Sequence, residues 1–171
     1  MSNDAEAALL ERFRIHELIG RYVDALNHRD WERYKDCWIE DSHFAMTIAN
    51  DDSPIQDTLA TIKKPAGVRV VGRPAILKMV GTYNNYPWLF QIPSGIVVEL
   101  NSPTTAQIRH TLQVFSQSLT LIGVCYDRAM KEGDGKWRLT HRDYRPSYWQ
   151  HSEAPGQTCR NLPDPNYLKL P

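Results

Sequence analysis

Cysteine is scarce and unpatterned. Cys37, Cys125 and Cys159 are odd in number, far apart, and form neither a CxxC pair nor a His/Cys metal spacing. A disulfide framework is excluded as the organising device, and a reducing compartment, the cytoplasm, is expected. Net charge is missing as well: 20 Lys plus Arg balance 20 Asp plus Glu. With no clustered basic stripe, nothing draws the chain to nucleic acid or to an anionic membrane. No run approaches the roughly 18 consecutive apolar residues that span a bilayer. The stretch MSNDAEAALLERF lacks the basic start and long apolar segment of a signal peptide. Nucleophile elbow, phosphate loop and metal-ligand spacing are absent too, so no metal or cofactor is called for. What remains as a partner is a small molecule or another protein.

The chain has 171 residues, which fits one domain over 1–171. A chain near 150 residues buries about 68–70% of the surface it exposes when unfolded, enough for a core and a pocket. From about Ala7 to Asn27, Leu10, Ile15, Leu18, Ile19, Tyr22 and Leu26 recur mostly at three- and four-residue steps, which predicts an amphipathic helix. Asn27-His28-Arg29-Asp30 interrupts it. Asp30 then suits the N-cap of a second helix with Trp31, Tyr34, Cys37 and Trp38 on one face. HFAMTIA reads as a strand, and the long segment after it, DDSPIQDTLATIKKPAGV, as a lid or a solvated hairpin insertion. Gly72-Arg73-Pro74 opens a short helix. Beyond it, WLFQIPSGIVVEL, TAQIRHTLQVFSQS, LTLIGVCYDRAM and KWRLTHRDY are long strands joined by short polar turns. Helices followed by an antiparallel meander give an α+β plan. The Pro-rich tail, residues 150–171, is expected to pack loosely or to cross to a neighbouring subunit.

These segments, taken in order, resemble a known family. RYVDALNHRDWERYKDCWIEDSHF, then GRPAIL, then IVVEL, then GVCYDRAMKEGDGKWRLTHRDY is similar to the SnoaL-like branch of the NTF2-like superfamily over about residues 8–146. No single motif carries the likeness; the order and spacing do. The resemblance implies a cone-shaped barrel, a curved antiparallel sheet wrapped around N-terminal helices with an apolar pocket inside, and a homodimer or homotrimer outside. Branch members include scytalone dehydratase, hexachlorocyclohexane dehydrochlorinase and bile-acid 7α-dehydratase. Fold does not choose among their chemistries.

The resemblance also implies an Asp at the end of the first helix and a His on the strand after the third, acting as a proton-transfer dyad. Here those positions fall on Asn27 and Gln91. Neither amide accepts a proton at neutral pH, and no His stands between His43 and His110. The dyad is therefore not carried over. Tyr22, which matches the acid of the bile-acid dehydratase site, is the candidate donor, with a core Tyr bonded to backbone as the plain alternative. Alternation along AQIRHTLQVFS places His110 with Ala106, Ile108, Leu112 and Val114 on the inward face, a candidate base. A satisfied structural His is its plain alternative. Asn27 and Gln91 would then position oxygens.

Trp38, Phe44, Met46, Trp88, Leu89, Leu112 and Ile122 are candidates for an apolar lining. Asp24 is expected to pair with Arg142 or another basic group, and His43 to point outward, opposite Phe44. Tyr126, Asp127, His141, Arg142 and Tyr144 form a polar group that would close the wide end or meet another subunit. Two functions fit. One is a lyase or isomerase, needing no cofactor, acting on a hydrophobic aromatic or polycyclic oxygenated molecule. The other is a non-catalytic ligand-binding protein or an accessory subunit resembling the small subunit of a ring-hydroxylating dioxygenase.

Overall fold

The break at Asn27-His28-Arg29-Asp30 sets the geometry of the N-terminal half. In the computed structural model, which describes residues 3–46, 67–86, 88–117 and 119–151, helix α1 spans Asn3–Asn27 and α2 spans Trp31–Asp36. Arg29 takes a left-handed conformation with φ of 57°, and its N–H bonds to the Leu26 carbonyl. Asp30 then caps α2, its carboxylate accepting from the Arg33 N–H at 3.1 Å. The buried stripe of α1 runs through Ile15, Leu18, Ile19, Tyr22, Val23, Ala25 and Leu26. Its first turns are not covered: Leu9, Leu10 and Phe13 are exposed.

Trp38 is not on the second helix, as its spacing from Tyr34 suggested. The helix ends at Asp36, Cys37 is its C-cap, and Trp38 is the first residue of strand β1, Trp38–Met46. Its ring is nonetheless fully buried. Strand β2, Val68–Val71, pairs antiparallel with β1. The insertion expected between them lies mostly outside the described residues, as does most of the tail. Helix α3, Arg73–Gly81, starts after Gly72 with Pro in its first turn and buries Ile76 and Val80, and a 3₁₀ turn follows over Thr82–Asn85.

Four long strands complete the sheet: β3 Leu89–Ser102, β4 Thr105–Ser116, β5 Leu119–Lys131 and β6 Trp137–His151. The order is β2-β1-β6-β5-β4-β3. The meander β3 to β6 is antiparallel throughout, whereas β1 lies parallel to β6. That parallel pair follows from the helices and β2 lying between β1 and the meander in sequence, since a parallel pair needs a long crossover. The sheet is curved and not closed. Helix α1 packs chiefly on β3 and reaches β6.

Two irregularities in the β5–β6 ladder decide what faces inward. Between the pairs Arg128↔His141 and Ala129↔Leu139, Thr140 is an extra residue. A bulge of this kind resets the alternation. Leu139 faces in, and after Thr140 so do Arg142 and Tyr144. The second shift is at Gly123, where a Cβ would stand 2.2 Å from the Arg145 carbonyl oxygen, so only glycine fits.

Candidate functional site

Burying a charge is costly unless it is paired and hydrogen-bonded. Inside the curve of the sheet, β4, β5 and β6 each contribute a polar side chain to a set with no solvent exposure: His110, Asp127 and Arg142. Arg142 and Asp127 face each other directly across the β5–β6 ladder. The Arg142 Nε donates to Asp127 Oδ1 at 2.9 Å and Nη2 to Oδ2 at 2.6 Å, a bidentate pair. His110 Nε2 lies 3.2 Å from Asp127 Oδ2 and 3.2 Å from Arg142 Nη2, and its Nδ1 lies 3.2 Å from the Thr111 carbonyl. Those contacts define two states. With the proton on Nδ1, Nε2 accepts from Arg142; with a second proton on Nε2, that nitrogen donates to Asp127.

The guanidinium also lies over the Tyr22 ring, its Cζ 3.8 Å from the ring centroid. A cation–π contact of this kind gains strength when desolvated. The Tyr22 hydroxyl accepts from Tyr34 at 3.2 Å, which leaves its own proton free to be donated. Trp38 meets the Tyr22 ring edge-on at 5.9 Å, and Phe44 meets Trp38 at 6.5 Å.

Electrostatics fix the protonation of this group. Burial pushes the Asp127 carboxyl up, but the Arg142 charge and the hydrogen bonds from Arg142 and His110 outweigh it and hold the group below its usual range. Burial works against the Arg142 charge, yet Asp127 prevails and the guanidinium stays ionised. Tyr22 is raised by burial, against the opposing pull of Arg142, so it is a neutral phenol.

His110, Cys125 and Asp127 place one ligand atom each within 4.8 Å of one another, a spacing that a metal ion can use. The surroundings do not fit one. Arg142 Nη2 already lies between Asp127 and His110, and burial raises the Cys125 thiol so that it keeps its proton. The guanidinium takes the place of a cation.

At the end of α1 the picture differs. The Asn27 Nδ2 donates to the Gln91 carbonyl at 2.9 Å, and its Oδ1 accepts from the Gln91 N–H at 2.7 Å. The side chain completes one rung of a backbone ladder and ties α1 to β3. The Gln91 side chain is itself buried, its Oε1 without a hydrogen-bond partner. Three other residues leave buried side-chain N–H groups equally unpartnered: Trp38 Nε1, Trp88 Nε1 and Arg142 Nη1. The fifth such atom among the described residues is Arg21 Nε.

The sequence-derived candidates thus separate. Tyr22, Trp38 and Phe44 gather around Arg142; His110 joins them through Arg142; Asn27 is tied to the backbone of Gln91. Leu112 is buried and its carbonyl accepts from the Tyr144 hydroxyl at 3.2 Å. Trp88, Leu89 and Met46 are half-buried. Asp24 is paired as expected but with Arg33 at 2.8 Å and His28 at 3.2 Å, not with Arg142. His43 is exposed, on the face opposite Phe44. Asp127 and Arg142, read as part of a rim, belong to the interior. The signal for Asp127 was available, since Leu121, Gly123, Cys125 and Asp127 share one parity. For Arg142 it was hidden by the bulge at Thr140.

Two surface concavities stand out, and neither opens on Tyr22 or Arg142. One of about 450 Å³ lies on the outer face of β3 to β6 and includes Glu99, Arg109, Tyr126 and Arg128. The other, about 340 Å³, lies at the β1–β2 end and includes Met46 and Arg69. No helix among the described residues is long and apolar enough to cross a membrane.

A curved, open sheet over an N-terminal helix, with a buried polar group on its concave side, defines an α+β cone of the NTF2-like type. Within that class the chain belongs to the SnoaL-like domain family, whose model matches residues 7–143. No curated protein matches the sequence. Among solved structures, a provisionally named scytalone dehydratase from Novosphingobium aromaticivorans superposes with a TM-score of 0.70 at 17% identity, over 91% of this chain and 99% of that one. The hexachlorocyclohexane dehydrochlorinase LinA-type3 from Novosphingobium barchaimii gives 0.70 at 13% identity, over 91% and 99%. A provisionally named aromatic ring hydroxylase from N. aromaticivorans gives 0.67 at 15% identity, over 84% and 94%. At these identities the likeness is one of fold.

Proposed function

We propose that the chain is a lyase or isomerase that needs no cofactor and acts on a hydrophobic, oxygenated aromatic or polycyclic molecule. The observation that carries this reading is the buried His110–Asp127–Arg142 set lying beside the Tyr22 phenol. Removing a proton next to a leaving group needs an acceptor and a donor in a dry site. His110 is the acceptor: Nε2 takes the proton, and the resulting imidazolium donates to Asp127 Oδ2, already 3.2 Å away. Tyr22 is the donor, neutral because of its burial. Two of the similar structures are named for eliminations, a dehydratase and a dehydrochlorinase, which supports the reaction class and leaves the substrate open. The homodimer or homotrimer of the sequence reading belongs to the same proposal, with the outer sheet face as the natural place for a second copy.

The test is turnover by the purified protein, without added metal or cofactor, on a panel of hydroxylated and halogenated cyclic compounds. His110→Gln is expected to lower the rate by about 10²–10⁴-fold, the usual range for a general acid–base group. Tyr22→Phe is expected to act in the same direction. Unchanged rates in both variants would overturn the assignment.

One observation favours a second reading, a non-catalytic binding protein or accessory subunit. Both ring nitrogens of His110 have protein partners, and both family dyad positions are amides. Tight binding without turnover, or co-purification with a subunit carrying iron–sulfur and iron sites, would select it.

A further inference from the structure

Among the described residues, every arginine but three has a hydrogen bond or an ion pair. The three without one are Arg69, Arg109 and Arg128, and all of them line the two surface concavities. Arg109 and Arg128 share the larger, of about 450 Å³. Both are exposed and alternate with the buried Ile108, His110, Asp127 and Ala129, so they project from the outer face of the sheet. Across the β4–β5 ladder Arg109 stands opposite Tyr126 and Arg128 opposite Gln107, which makes the two arginines diagonal neighbours. Such positions are about 7–8 Å apart, close enough for long side chains to meet.

The other charges here do not neutralise them. Arg145 Nε donates to Asp143 at 2.7 Å, so that pair is spent, and its guanidinium lies 4.8 Å from the Tyr126 ring centroid. Glu99 lines the same concavity but makes no ion pair among the described residues. The Arg128 charge is felt next door: burial, and then Arg128, push the His141 imidazole opposite it below its ordinary value. Two like charges on adjacent strands repel, and an anion between them turns that repulsion into attraction.

The shape of the face narrows the anion. A phosphate monoester carries about −1.5 to −2 charges near neutral pH and three acceptor oxygens, enough for two guanidinium forks at once. A carboxylate offers one charge and two oxygens. The concavity falls in the range of about 300–1,000 Å³ usual for small-molecule sites, so it has room for more than the phosphate. Val97 and Tyr126, 52% and 43% exposed, stand directly opposite Arg109 on its two sides and offer apolar surface to an organic body.

From this we infer that the outer face of the sheet binds a small phosphate monoester, with Arg109 and Arg128 gripping the phosphate and Tyr126 and Val97 against the organic part. The site is separate from the interior His110–Asp127–Arg142 set and depends on no reaction there.

Calorimetric titration of the full-length protein at roughly pH 8, above the second phosphate pKa of about 6, tests this with phenyl phosphate, inorganic phosphate and benzoate. Phenyl phosphate is expected to bind more tightly than inorganic phosphate and at least about tenfold more tightly than benzoate, because two guanidinium groups engage it instead of one. Arg109→Gln and Arg128→Gln, both at exposed positions, should each weaken it at least about tenfold, the low end for a hydrogen bond to a charged group. Glu99→Gln should tighten it by about twofold to fivefold, as removal of an exposed opposing charge would. Arg69, three strand spacings or roughly 14 Å from Arg128, is the control, and Arg69→Gln should leave the affinity unchanged. Equal weakening in Arg69→Gln overturns the inference in favour of general attraction to a basic face. Benzoate binding as tightly as phenyl phosphate overturns it too, and inorganic phosphate doing so assigns the seat to the free ion instead. If phenyl phosphate does not bind, and sedimentation shows self-association that Arg109→Gln weakens, a second copy is the occupant and the inference falls.

Discussion

Two arginines stand four residues apart on β6 and are both buried, yet they live in opposite circumstances. Arg138 uses every nitrogen: Nε donates to the Asp36 carbonyl, Nη1 to Glu132 and Asp134, and Nη2 to Asp36 and Asp134, at 2.7–3.1 Å. Its carboxylate partners are partly in water, between 37% and 45% exposed. Arg142 has one carboxylate, one imidazole and one aromatic face, all buried, and keeps Nη1 unpartnered. Saturation marks the first as a clamp between α2, the β5–β6 turn and β6. Full burial and one unspent nitrogen set the second apart: it holds Asp127, His110 and the Tyr22 ring together in the interior.

The largest effect should come from breaking the inner pair on one side. Asp127→Ala leaves an uncompensated guanidinium in the interior, for which about 3–5 kcal/mol of lost stability is expected, while replacing both partners with apolar groups is often neutral. Urea unfolding should therefore show a severe loss in Asp127→Ala and recovery of most of it in Asp127→Leu/Arg142→Met. If Asp127→Ala costs under about 1 kcal/mol, less than such a group should, the inner pair is no more than another surface clamp. The pH dependence follows from the same group. Because the folded-state pKa of Asp127 lies below its unfolded value, its contribution is complete above roughly pH 4, near the unperturbed value, and is lost as pH falls through the folded value. Wild-type stability should decline more steeply below that pH than stability of the double variant.

Next in size is Asn27. Both of its amide groups bond the Gln91 backbone, so Asn27→Ala strands a partly buried N–H and C=O and should cost about 1–3 kcal/mol. Asn27→Asp installs the carboxylate that the resemblance implies at this position but cannot donate to the Gln91 carbonyl. It should lower stability without raising turnover, because the imidazole partner of the dyad is still missing from β3. A gain in rate on restoring the carboxylate would return Asn27 to the catalytic group.

How much of this was readable beforehand depends on the parity of each strand. Tyr22 and His110 were legible because helical spacing and strict alternation place them on apolar faces without interruption. The Asp30 cap and the start of α3 were legible because their signals are local. Trp38 was misplaced because three- and four-residue spacing continues across the end of α2, while the chain has already turned into β1. Arg142 was hidden for a sharper reason: counting in twos from Trp137 and Leu139 puts His141 and Asp143 inside, and only the extra residue at Thr140 reverses this. A bulge is a register property of two strands, and one strand's sequence does not announce it. The role of Asn27 was equally out of reach, since its partner is backbone on a strand 64 residues away.

The smallest expected effect belongs to the outer clamp, and it sharpens the comparison from the other side. In Arg138→Gln, the carboxylates of Asp36, Glu132 and Asp134 lose their common partner, but each can be solvated by the water it already touches. Ion pairs with partners this exposed are worth about 0.2–1 kcal/mol, so the loss should stay near 1 kcal/mol or below. It should also shrink in about 1 M salt, where the screening length falls to roughly 3 Å. The loss in Asp127→Ala should persist there, since buried pairs are screened far less. A salt-insensitive loss of several kcal/mol in Arg138→Gln would show that saturation of hydrogen bonds does not separate the two arginines, and that burial alone decides what each contributes.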